Sequence, residues 1–265
     1  MKWFMGLDIG STASKGIITG NGRPPLYHRL PSKADYRAAA EALSSELLAK
    51  ADLRRQDITA TGITGHSAGD LPAKHRRIAD IRCCARGIAH LFPQARTIID
   101  VQAMSGRIIR LSAEGRVTDF ISSELCAAGG GRFLEVMANI LRVELDDIGP
   151  LSLKARKPVH FTTGCAVFAE SEAISRVAEG AAKEDILAGV HQALADKLAA
   201  LVERAGLEEG CALCGGGALD SGLIKALQEK LGVNLLVPEQ PQFVTALGAA
   251  IMAGETGRNE DKEQP

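Results

Sequence analysis

An apolar run from Trp3 to Ile9 closes on Asp8-Ile9-Gly10-Ser11-Thr12-Ala13-Ser14-Lys15, and a second apolar run, Gly16 to Thr19, follows at once. A strand that meets another strand, not a helix, across a short turn reads as a hairpin. The pattern returns at Ile99-Asp100-Val101, again the end of an apolar strand. Strand-like segments follow it too, at 107–111 and 117–121 around Glu114-Gly115. This repetition predicts two related α/β lobes, each opening with a hairpin whose turn faces a cleft. The chain then divides into an N-terminal α/β lobe over 1–95, a C-terminal α/β lobe over 96–254 and a polar, disordered tail over 255–265.

The remaining pattern fills in those lobes. Asn21-Gly22 is a hairpin signal at the end of the second strand. Apolar spacing predicts helices over 33–51, 78–92, 130–142, 166–180, 184–205, 220–231 and 243–254. Further strands are expected at 60–64, 96–100, 211–214 and 233–237.

Composition narrows the function classes. The 265 residues are 46% hydrophobic but only 4% aromatic, enough for a substantial core made mostly of aliphatic side chains. A net charge of −1 leaves no electrostatic footprint for nucleic acid or for an acidic membrane surface. No apolar run approaches the roughly 20 residues of a membrane helix. Asp8 lies close to the N-terminus and no cleavage site follows, so the start is not read as a signal peptide. A cytoplasmic location is expected. The six cysteines are then expected to be reduced, metal-bound or reactive, not disulfide-linked.

The first hairpin has the makings of an anion site. Gly10 lets backbone approach a phosphate, the N–H groups of Ser11, Thr12 and Ala13 can point at it, and Lys15 adds a charge. Asp8 can hold a hydrated Mg²⁺ through one carboxylate. An ordinary hairpin turn reads the same way. Gly215-Gly216-Gly217, after the apolar run 211–214, can let a nucleotide lie on bare backbone, or can be a flexible turn.

Taken in order, Asp8-Ile-Gly10-Ser-Thr-Ala-Ser-Lys15, Asp100 and Gly215-Gly216-Gly217 resemble the nucleotide motifs of the acetate kinase, sugar kinase, heat-shock chaperone and actin superfamily. The closer resemblance, over about residues 4–253, is to the activators of (R)-2-hydroxyacyl-CoA dehydratases and the ATPase subunits of benzoyl-CoA reductase. Its most specific parts are Cys126-Ala-Ala-Gly-Gly-Gly-Arg132-Phe-Leu-Glu135-Val-Met-Ala-Asn139 and Cys165-Ala-Val-Phe-Ala-Glu170-Ser-Glu172. The resemblance implies a two-lobed actin-like (ribonuclease H-like) ATPase fold with ATP or ADP and Mg²⁺ in the interlobe cleft. Residues 11–15 would bind phosphates, Glu135, Gly215, Gly216, Gly217 and Gln242 would meet the nucleotide, and Asp8 and Asp100 would be catalytic. Gln102 and Ala103 would be second-lobe phosphate contacts. Here the sequence departs from the activators, which read Asp-Ile-Gly-Gly-Gln-Asp. Asp100-Val-Gln102-Ala103-Met104-Ser105-Gly106-Arg107 is more similar to one of the benzoyl-CoA reductase ATPase chains.

The resemblance also gives the two cysteines a role. Each stands just before an expected helix start. Two thiolates cannot complete a four-iron cluster, but Cys126 and Cys165 from each of two chains would hold one [4Fe-4S] cluster per dimer. Helix N-termini favour anionic ligands, and N–H groups at Ala127, Ala128 and Gly129 can reach sulfur. Small buried core cysteines, or a Cys126–Cys165 redox disulfide, are the other readings. Cys211-Ala-Leu-Cys214 and Cys83-Cys84 are expected to be core packing, and the histidines show no ligand spacing.

The implied activity is an ATP-driven one-electron donor. A ferredoxin or flavodoxin would load the cluster of a homodimer, or of a heterodimer with a homologous subunit, and an iron–sulfur dehydratase or reductase would accept the electron. The alternatives are a small-molecule kinase of the same superfamily and a non-catalytic nucleotide-sensing subunit.

Overall fold

The computed structural model describes residues 2–20, 22–32, 35–65, 76–123, 130–162 and 166–260. In chain order the elements are β1 (Trp3–Ile9), β2 (Ala13–Gly20), β3 (Arg23–Pro31), α1 (Tyr36–Ala51), β4 (Ile58–Gly65), β5 (Arg76–Arg77), α2 (Asp80–Leu91), β6 (Thr97–Val101), β7 (Gly106–Leu111) and β8 (Val117–Ser122). They continue with α3 (Gly131–Leu141), α4 (Ile148–Ser152), α5 (Ala166–Ala178), α6 (Lys183–Ala205), β9 (Cys211–Cys214), α7 (Ser221–Leu231) and α8 (Val244–Glu260). Two compact units emerge. One runs to Gln94 and adds Ser112–Val117 and the chain from Gln242; the other comprises Ala95–Leu111 and Thr118–Pro241.

The first unit is built on a sheet in the order β3-β2-β1-β4-β5. β1 runs antiparallel to β2 and parallel to β4. Strand alternation sends Met5, Leu7 and Ile9 to one face, where Leu43 and Leu47 of α1 cover them. Helix α1 begins later than residue 33 because Asp35 caps it, its Oδ1 accepting from Ala38 N at 2.9 Å. The opposite face carries Ile17 against Ala246, Leu247 and Ala250 of α8. That contact is backbone-close. A Cβ at Gly6 would overlap the Ala246 carbonyl oxygen, and one at Gly62 the Ala249 carbonyl oxygen.

Two expectations change here. Residues 243–254 were expected in the C-terminal lobe, but α8 covers the first sheet, because only its small-residue face fits over Gly6 and Gly62. The expected tail from 255 is helical as far as Glu260, and Glu255 is held by Arg86, whose Nε and Nη2 donate at 2.9 and 2.6 Å.

The second unit holds a sheet in the order β8-β7-β6-β9. Every residue of its inner strand β6 is buried. Ile99, Val101 and Ile108 pack with Phe133 and Met137 of α3 and with Leu194 and Leu198 of α6. The expected strand over 233–237 is reduced to one bridge, Ala212 to Leu236. Leu236 exchanges two hydrogen bonds with β9, from Leu213 N at 3.0 Å and to Cys211 O at 2.8 Å. Pro238 follows with no N–H to donate, so the ladder stops. Among the described residues no helix is long and apolar enough to cross a membrane.

Candidate active site

The first unit presents the Asp8–Lys15 hairpin. In the β1–β2 register Asp8 stands opposite Lys15, and Lys15 Nζ lies 3.4 Å from Asp8 Oδ2. Gly10 is needed for the turn, since a Cβ there would lie 2.7 Å from Ala13 O and 3.3 Å from Lys15 Nζ. Ser11 and Thr12 are exposed at its tip. Ser14 is different. Alternation turns it away from Asp8 and Lys15; it is fully buried and shares a 2.8 Å hydrogen bond with Ser32 Oγ. Ser32, which the sequence did not single out, also donates from Oγ to Gly10 O at 2.6 Å and from N to Thr12 O at 2.9 Å. It braces the turn from the end of β3. Gln242, also of this unit, accepts from Arg29 Nη1 at 3.1 Å.

The second unit presents a different arrangement. Asp100 stands opposite Arg107 in the β6–β7 register, and both are buried. Arg107 donates to Asp100 Oδ2 through Nη2 at 2.6 Å and Nε at 3.2 Å, and Gln102 Nε2 adds a third donor at 3.1 Å. Gly215, at φ +86°, lies against the same carboxylate, where a Cβ would come within 2.8 Å of Asp100 Oδ1. Gly217 would overlap Val101, whereas Gly216 has nothing within 4 Å of its would-be Cβ and is exposed. The turn therefore packs its outer glycines and leaves the middle one bare. Ala103 sits in the turn after Gln102, its carbonyl accepting from Arg132 N at 2.8 Å. Glu135 pairs with Arg132 across one turn of α3 at 2.8 Å.

Arg107 is the residue that sequence reasoning passed over. Its signal was available: it stands seven residues after Asp100, as Lys15 stands seven after Asp8.

The chain belongs to the BadF/BadG/BcrA/BcrD ATPase family, which matches residues 5–253. The 2-hydroxyisocaproyl-CoA dehydratase activator of Clostridioides difficile is 37% identical over 98% of this chain and 97% of that protein. One of the subunits of benzoyl-CoA reductase from Thauera aromatica is 34% identical over 93% of this chain and 91% of its own length. A solved structure of the activator of the 2-hydroxyisocaproyl-CoA dehydratase from Clostridium difficile, with bound ADPNP, shows 36% identity and a TM-score of 0.94, covering 99% of this chain and 98% of that one. The expected α/β actin-like ATPase fold and the resemblance to dehydratase activators are both borne out.

The sequence also singled out the segments around Cys126 and Cys165. Both cysteines lie outside the described residues. The helices that follow them are described. Neither α3 nor α5 has an acidic residue in its first turn, so no side-chain anion there offsets the positive end of either helix. Phe120 before the first segment and Phe168 after the second are 50% and 66% exposed. The other four cysteines behave as core. Cys83, Cys84, Cys211 and Cys214 are all buried, and burial pushes the Cys83 and Cys211 thiols up to about 12. Such thiols stay protonated and are poor ligands.

Proposed function

We propose that this protein is an ATP-dependent one-electron donor that passes a low-potential electron to a CoA-ester dehydratase or reductase. The reading is supported by the family and by the names of its relatives, which are activators of CoA-ester dehydratases and a subunit of benzoyl-CoA reductase. The observation that carries it is that α3 and α5 each follow a cysteine segment and each lack an acidic residue in the first turn. Three apolar side chains of α5, Phe168, Ile174 and Val177, are 66%, 57% and 46% exposed, and partial burial of that helix against a second protomer would cover some of them.

In this reading Cys126 and Cys165 of two protomers hold one [4Fe-4S] cluster as thiolates. When bound, the cluster supplies a one-electron carrier. The chain's own residues do the rest. Backbone N–H groups at Ser11, Thr12 and Ala13 and the Lys15 ammonium receive phosphate oxygens. Asp8, 3.4 Å from Lys15, can exchange that loose contact for a hydrated Mg²⁺. The bare backbone at Gly216 gives the nucleotide a flat seat, with Glu135 and Gln242 as further contacts. Ser14 contributes its N–H only, since its hydroxyl is committed to Ser32. Asp100 acts with Gln102 and Ala103 beside the phosphates, its charge balanced by Arg107. The loading partner is a ferredoxin or flavodoxin, the second protomer is a copy or a homologue of this chain, and the location is cytoplasmic.

The test is anaerobic purification followed by iron analysis and electron paramagnetic resonance. The expected result is a brown dimer with about four irons per dimer. Cys126→Ala and Cys165→Ala should each remove the iron while ATP binding persists. Metal-free monomer after reconstitution would refute the electron-transfer reading and leave an ATPase.

A further inference from the structure

The face of the first sheet that α8 covers carries two polar side chains among small and apolar groups. Leu7 and Ile63 stand opposite each other in the β1–β4 register and pack with Leu43 and Leu47 of α1. Alternation sends the flanking pairs, Gly6 with Gly62 and Asp8 with Thr64, to the other face. There the glycines meet the Ala246 and Ala249 carbonyls of α8, and α2 closes on α8 where Cys83 meets Gly248 and Gly87 meets Val244. Asp8 has Lys15 Nζ at 3.4 Å. Thr64 is fully buried, and its Oγ1 has no hydrogen-bond partner among the described residues.

A buried hydroxyl without a partner costs stability, and valine would fill nearly the same space without that cost. Packing alone therefore gives no reason for threonine at this position. The group beside it is the Cys83 thiol. Burial pushes that thiol up to about 12, the Thr64 hydroxyl works against the shift, and the Asp8 charge adds to it. Thr64, Cys83 and Asp8 thus share one small space beside α2. A thiol is a weak donor and a weak acceptor, so it does not satisfy the hydroxyl. The strong acceptor on this face is the Asp8 carboxylate, on the neighbouring strand at a backbone spacing of about 4.8 Å.

We propose that Thr64 is a positioning residue of the nucleotide site, its hydroxyl donating to the Asp8 carboxylate once Lys15 turns from Asp8 to phosphate. This rests on the reading of Asp8 as the acid that holds the hydrated cation. With Lys15 in place, the carboxylate has a cation to fix its orientation. When Lys15 leaves, the carboxylate has lost a donor, and Thr64 has one to spare. A ligating carboxylate that is itself hydrogen-bonded keeps one orientation and binds its ion better. The unpaired hydroxyl of the free protein is then a group held ready for the nucleotide-bound state.

The experiment is calorimetric ADP binding to the full chain with and without Mg²⁺, read as the gain in affinity that Mg²⁺ confers, alongside urea unfolding without nucleotide. Thr64→Val should leave ADP affinity without Mg²⁺ unchanged and cut the Mg²⁺ gain by about tenfold, the size of one hydrogen bond to a charged group. Its unfolding midpoint should be no lower than that of the wild type. Thr64→Ser should restore the gain. Thr64→Ala guards against a misfit of valine: whatever its midpoint, it should show the same loss of gain. Cys83→Ala alters the packing beside Thr64 without removing the hydroxyl and should keep the gain. A full gain in both Thr64→Val and Thr64→Ala, or an equal loss in Cys83→Ala, overturns the proposal and leaves Thr64 a packing residue. Asp8→Asn should abolish the gain. If it does not, the cation role of Asp8 falls and the proposal with it.

Discussion

Asp8 and Asp100 occupy the same place in two similar hairpins, yet the two pairs differ in kind. Each acid stands opposite a cation seven residues on, Lys15 in one and Arg107 in the other. The Asp8–Lys15 contact is 3.4 Å, with side chains 14% and 21% exposed; the Asp100–Arg107 contact is 2.6 Å, with side chains 2% and 7% exposed. A long contact at partly solvated side chains contributes little and parts more easily than a short buried one. A buried charge whose partner is removed is strongly unfavourable. One hairpin is therefore poised to give its groups to a ligand, and the other holds its acid in a fixed state. The repeat of sequence conceals a division of labour.

The largest expected effect breaks the second pair. Arg107→Gln leaves the Asp100 carboxylate buried without its strongest donor and should lower unfolding free energy by about 3–5 kcal/mol in urea titration. The double variant with Asp100→Asn should recover much of that loss. Additive losses would show that the pair is not coupled.

Next comes the glycine turn that faces Asp100. Gly215→Ala meets both a left-handed backbone and the Val101 carbonyl oxygen, and should cost about 1–3 kcal/mol in the same titration. Gly216→Ala meets nothing within 4 Å and should leave stability unchanged while weakening nucleotide binding in calorimetry. Equal effects on stability would erase the distinction drawn between the packed and the bare glycine.

Lys15→Ala tests the loose pair. It should change stability by less than about 1 kcal/mol. ATP affinity should fall clearly, read by fluorescence of a labelled nucleotide. A large stability loss would make the first hairpin as structural as the second.

The last effect, absent at neutral pH, is shared by both units. The Cys83 and Cys211 thiols ionise at about 12 in the folded protein against a usual 9.0, because burial disfavours the thiolate. Their contribution to stability is complete below about pH 9 and is lost as pH rises from 9 towards 12. A shallower fall in stability over that range in Cys83→Ala, Cys211→Ala protein than in the parent checks it.

Much of this could be read along the chain. The strand Trp3–Ile9, the hairpin that follows and the opposition of Asp8 to Lys15 are local, and local pattern is what a sequence exposes. Ser14 shows the limit. It lies inside the phosphate motif, but the alternation of β2 turns its hydroxyl to the buried face, and only the position of Ser32 reveals what it binds. Arg107 was hidden for a related reason. An arginine in a strand reads as a solvated charge until cross-strand register places it on a buried carboxylate. The placement of α8 was beyond reach altogether, since nothing local connects Gly6 and Gly62 to Ala246 and Ala249. The apolar run at 233–237 reads as a strand, but Pro238 at its end, itself plain in the sequence, limits the pairing to one bridge.

That last helix has a consequence for how the protein is made. Its backbone closes on β1 and β4, which leave the ribosome early, with most of the chain synthesised in between. The first unit thus emerges with one flank of its sheet bare and waits for a segment translated long afterwards before it can be sealed. A nascent intermediate of this kind is a natural client for chaperones that shield open apolar sheet faces.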